Sequence, residues 1–146
     1  MSATQTSQIA SKQRIALGRL WWVGLLTIIA AIIVNILITM LAKALFPVAP
    51  TFLPLQIAFI PFTVFGCLGA IIVFALIGRF ARRPISTFQR TVWIVLLVSF
   101  IPDLLVGFLH LFPGTTPLEV GTLMLMHIAT AMICLNVLTR LIHVRS

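Results

Sequence analysis

Apolar residues fall into four long runs along this chain, at about 20–46, 55–80, 91–111 and 117–142, separated by short polar or proline-rich stretches. Each run is long enough to cross about 30 Å of hydrocarbon as a helix. No alternating strand pattern accompanies them, and a backbone in lipid must satisfy its own N–H and C=O groups. The pattern therefore predicts an all-α, integral membrane four-helix bundle. Residues 1–19 read as a cytoplasmic N-terminal segment, 20–142 as the transmembrane domain and 143–146 as a cytoplasmic tail. Ala42-Lys43-Ala44 resembles a signal-peptidase site, but the apolar run before it is longer than twenty residues. Signal peptides carry an apolar core of about 7–15 residues, so the first helix is expected to be retained.

Composition points the same way. Of 146 residues, 61% are hydrophobic and 8% charged, whereas a soluble domain carries roughly a quarter charged residues. That leaves too little polar surface to cover a globule in water. The net charge of +8 takes its meaning from position. Lys12, Arg14 and Arg19 precede the first run, Arg79, Arg82, Arg83 and Arg90 join the second to the third, and Arg140 and Arg145 end the chain. Only Lys43 falls at the opposite ends of the runs. By the positive-inside rule both termini are cytoplasmic, an N-in/C-in arrangement in the cytoplasmic membrane. Trp21, Trp22 and Trp93 fall at the same predicted interface, where an indole has one wet edge and one apolar face. The basic stretch 79–90 brings no RNA- or DNA-binding module with it. Arg79, Arg82, Arg83 and Arg90 are read as contacts to anionic headgroups of the bilayer, and nucleic acid is not expected as a partner.

The remaining polar features divide into structural and candidate chemical ones. Thr116, Pro117 and Glu119 fit the N-cap, N1 and N3 positions of a capping box, which accounts for Glu119. Pro61 predicts a late start or a kink in the second helix. Cys67 and Cys134 lie in apolar runs at depths that differ by about five residues, roughly 7 Å of helix rise, so a disulfide is not expected. Thr27, Ala31, Asn35 and Thr39 recur every fourth residue, a small and polar seam for close packing, and Gly66 with Ala70 offers a second small pair.

Asp103 is the acid that no cap explains, and it lies inside the third run after Pro102. A charged Asp near a bilayer centre costs about 2.5–3.5 kcal/mol on insertion scales, so it should face protein or water. Ser99 and His110 fall on its helical face by spacing. His127, inside the fourth run, reaches nearly the depth of Asp103 across a short hairpin. The expected intramembrane polar cluster is Asn35, Thr39, Asp103 and His127, flanked by Ser99 and His110. It reads either as a hydrogen-bonded knot that sets helix register or as a site for a proton or small ligand. His110 and His127 differ in depth by a turn or more, which argues against bis-His haem. No metal ligand set is present, and no cofactor is called for.

The segments SFIPDLL at 99–105 and LMLMH at 123–127, with the Arg-rich loop ending in Arg-Pro, together resemble a family of small, uncharacterised bacterial four-helix membrane proteins. The resemblance spans about residues 17–142. It implies a bacterial cytoplasmic membrane and four helices, and brings no activity or catalytic residue. The expected role is non-enzymatic: a membrane component that acts through helix packing, alone, with a second copy of itself or with a larger membrane partner. The alternative is a small carrier or channel subunit that binds a proton or small ligand at Asp103 and His127.

Overall fold

The computed structural model describes residues 17–142, and among them every regular element is helical. Lys12, Arg14, His143 and Arg145 lie outside the described residues. A single 3-10 turn at Leu17–Arg19 leads into α1, Leu20–Leu45. A π-helical turn at Pro54–Ala58 precedes α2, Phe59–Phe80. Then follow α3, Pro84–Phe108, and α4, Pro117–Ile142. All four helices are long and apolar enough to cross a membrane. The turns alternate between two ends of the bundle. The arginine end carries Arg19, Arg79–Arg83 and Arg140; the proline end carries the loops at 46–53 and 109–116. Consequently α2 and α4 run parallel, and α1 and α3 run against them.

The helix boundaries follow from backbone chemistry that hydropathy does not sense. The third helix begins at Pro84, seven residues before the apolar span expected from 91, because Pro fits the first turn, where its missing N–H and fixed φ cost nothing. Arg90 is therefore helical, and the arginine loop shrinks to Ala81–Arg83. The same helix stops at Phe108 rather than Leu111. His110 there adopts a left-handed φ of 48°, and the Leu111 N–H donates back to the Val106 carbonyl at 3.4 Å, the six-to-one bond of a Schellman cap. Pro61 falls at the third position of α2, directly after the π-helical turn, so the regular α-helix starts at Phe59 rather than at 55.

Two apolar layers hold the bundle. At the arginine end Val23, Ala31, Cys67, Phe74, Phe88, Cys134, Leu138 and Ile142 form one buried cluster, with Phe74 and Phe88 edge to face at 4.7 Å between ring centres. At the proline end Phe52, Leu55, Phe59, Leu123 and Met126 form the other. Gly24 lets α1 and α2 approach closely: a Cβ there would come within 2.9 Å of Ile71 Cδ1. Helix α4 packs against α1, α3 and α2, whereas α3 buries the least of itself. The outward surface is rich in Leu, Ile and Phe, with Phe62, Phe65 and Phe108 all more than two-thirds exposed. Such a surface is costly in water and matched to lipid tails. The chain is a multi-pass membrane protein.

Candidate functional site

The polar residues that sequence spacing gathers into one cluster separate into two sites. The first is centred on α1. Thr27, Ala31, Asn35 and Thr39 are all buried, and the two threonines donate to the Val23 and Asn35 carbonyls one turn back. Asn35 Nδ2 reaches out of the helix. It donates to Thr63 Oγ1 on α2 at 2.8 Å and to Thr130 Oγ1 on α4 at 3.1 Å. One amide thus clamps three helices. Nothing in the sequence marks Thr63 and Thr130, since a threonine in an apolar helix normally satisfies itself on the preceding turn. Thr63 does this as well, donating to the Phe59 carbonyl at 2.7 Å while accepting from Asn35. Asn35 Oδ1 is buried without a hydrogen bond among the described residues.

The second site joins α3 to α4. Asp103 is 7% exposed, and its Oδ2 lies 2.9 Å from His127 Nδ1. The same nitrogen lies 3.0 Å from the Leu123 carbonyl oxygen. Two acceptor oxygens this close to Nδ1 require that it carry a hydrogen. The single N–H is aligned with the Leu123 carbonyl, so Asp103 Oδ2 is buried without a directed hydrogen bond. The contact is thus one of charge proximity more than of hydrogen bonding. The imidazole is not enclosed, since 40% of the His127 side chain is exposed. No hydrogen bond links this pair to the Asn35 clamp among the described residues.

Ser99 and His110 do not join either site. Ser99 Oγ donates to the Leu96 carbonyl at 2.7 Å, the usual local solution for a serine in a helix. His110 lies beyond the end of α3, exposed, with Nδ1 3.3 Å from the Phe108 carbonyl. Helical spacing projected it onto the Asp103 face, but the helix ends two residues before it. Gly66 also departs from its expected role: it faces outward with nothing within 4 Å of the place a Cβ would take.

Glu119 forms the expected capping box and does more. Its Oε2 accepts from the Thr116 N–H at 2.8 Å, and Thr116 Oγ1 accepts from the Glu119 N–H at 3.4 Å. Its Oε1 accepts from the Ala49 N–H at 2.8 Å, in the loop between α1 and α2. This carboxylate is wholly buried. It latches the two loops of the proline end together, where Thr51 Oγ1 also donates to the Pro113 carbonyl at 2.7 Å. Lys43 Nζ donates to Gln56 Oε1 at 2.9 Å nearby.

Arg79, Arg82, Arg83 and Arg90 are all exposed at the arginine end. An open, mostly apolar groove of about 370 Å³ lies between the end of α3 and the start of α4, lined by Leu104, Gly107, Phe108, Val120, Gly121 and Met124 among others. Cys67 and Cys134, expected at different depths, are in contact, their sulfurs 3.8 Å apart. The helix starts are staggered: Cys67 stands thirteen residues after Pro54 and Cys134 seventeen after Pro117, so sulfurs in contact place the start of α4 about one turn farther out than the turn that leads into α2. Among the described residues no group of three or more His, Cys, Asp or Glu side chains is placed to hold a metal ion.

Comparison with known families finds a match to a family of unknown function (DUF6069) over residues 15–143. No curated protein and no solved structure matches the chain.

Proposed function

Given that the chain belongs to the DUF6069 family, whose description carries no activity, we propose that it is a non-enzymatic membrane component that works by associating with a second copy of itself through the α3/α4 face. The half-open imidazole of His127 carries this reading. A polar ring left in hydrocarbon is costly, and helix association in lipid is driven by packing and by covering such groups. The groove beside Gly107 and Gly121 on the same face offers room for a partner's side chains. The exposed arginines support a bundle whose arginine end is cytoplasmic, with Arg79, Arg82, Arg83 and Arg90 resting on anionic headgroups of the cytoplasmic membrane. Native mass spectrometry of the protein released from nanodiscs tests the association. A dimer that dissociates in His127→Leu or Gly121→Phe is the expected result; a monomer at every protein-to-lipid ratio refutes it.

A second reading is favoured by one observation, the buried Asp103 Oδ2 that lacks a directed hydrogen bond beside a titratable ring. It makes the pair a proton or small-ligand site in a carrier or channel subunit. Proton-linked flux into proteoliposomes that is lost in Asp103→Asn supports this reading, and the same flux in the variant removes Asp103 from it.

A further inference from the structure

We propose that Cys67 and Cys134 are an oxidisable dithiol that closes to a disulfide across α2 and α4 when it meets a two-electron oxidant soluble in the bilayer. The two sulfurs touch at 3.8 Å and are 0% and 3% exposed. Their pairing is built into the fold. Thr63 and Thr130, the two residues that Asn35 clamps, stand four residues before Cys67 and Cys134 respectively. Because α2 and α4 are parallel, one helical turn carries both chains from the clamp to the sulfurs in step. Ala31, four residues before Asn35 on the antiparallel α1, packs in the same buried layer. The amide therefore holds the register that brings the thiols together.

Closure needs a modest movement. A disulfide is about 2.05 Å long, so the sulfurs approach by roughly 1.8 Å, within the reach of side-chain rotation and a small helix shift. Ala31 and Ala70 belong to the same packed cluster as the cysteines. The product suits its surroundings, since a disulfide is uncharged and carries no donor to satisfy in an apolar interior. In the reaction two S–H bonds break and one S–S bond forms, and two electrons and two protons pass to the oxidant. A quinone would leave as its hydroquinone, and diamide as its hydrazine. Burial sets the reagent class: sulfurs in the apolar interior are open to an uncharged oxidant that enters the bilayer, such as a quinone or diamide, and closed to charged reagents confined to water. The bond would tie α2 to α4 and leave α3, the most lipid-exposed helix, outside the staple.

The full chain in nanodiscs, treated with diamide and then unfolded, tests the proposal. The expected result is that both free thiols disappear, the intact mass falls by two hydrogen atoms, and a cross-linked fragment pairs Cys67 with Cys134. Dithiothreitol added after unfolding restores both thiols. Cys67→Ser forms no disulfide between chains and keeps its remaining thiol, and Thr130→Val, which removes one arm of the clamp, closes severalfold more slowly. Two countable thiols after treatment, or a disulfide between chains, would overturn the proposal. An unchanged closing rate in Thr130→Val would overturn the role given to the clamp.

Discussion

Glu119 offers the sharpest test of how the proline end is held. Its carboxylate is wholly buried, and each oxygen has its own backbone partner: Oε1 takes the Ala49 N–H and Oε2 the Thr116 N–H, both at 2.8 Å. Glu119→Gln keeps the shape but exchanges one acceptor for an NH2 group. Whichever way the amide turns, it points hydrogens at one of the two N–H donors. One charge-assisted bond, worth about 1.5–3 kcal/mol, is lost, and a buried N–H is left facing another donor. Glu119→Ala removes both bonds and the capping box, whose own contribution is about 1 kcal/mol. The expected destabilisation is about 2–3 kcal/mol for Gln and about 3–5 kcal/mol for Ala. Reversible unfolding of the purified protein in mixed micelles gives the free energies. Amide exchange at Ala49 gives the location, and should accelerate in both variants while amides in the arginine-end layer stay protected. A Gln variant within about 0.5 kcal/mol of wild type, with Ala49 still protected, would refute the two-oxygen latch.

Three further outcomes follow from the same geometry. His110→Gly should stabilise the protein by roughly 0.5–1 kcal/mol, since glycine removes the steric cost of the left-handed φ of 48°; a lower melting temperature would contradict the assigned cap. In a double-mutant cycle, Asn35→Ala and Thr130→Val should couple by about 0.5–1.5 kcal/mol, the range of interhelical hydrogen bonds in membranes. Strict additivity in micelle unfolding would mean the 3.1 Å bond contributes nothing. Asp103→Asn and His127→Gln should each cost roughly 1–2 kcal/mol, less than a fully enclosed ion pair because the ring is 40% exposed. The double variant should cost little more than either single one, which thermal denaturation at neutral pH would show.

Several parts of this protein were legible in the chain itself. Four apolar runs of more than twenty residues dictate four spanning helices, because lipid leaves the backbone no other way to satisfy itself. Thr116, Pro117 and Glu119 specify a helix start, since a capping box is a local device whose partners are three residues apart. Spacing also brought Asp103 and His127 together, because a short hairpin ties their depths. Tertiary structure decided what those rules do not reach. The Asn35 clamp depends on which way three separate helices face, and low-polarity threonines give no signal of it. The reach of Glu119 to Ala49 joins residues seventy apart. The cysteine contact turns on the stagger between helix starts, which the π-helical turn at Pro54–Ala58 and the depth of the Ala49 loop set together. Hydrophobicity along a chain measures how long a helix must be. Its rotation and its height against its neighbours are decided only when side chains from different helices compete for the same interior space.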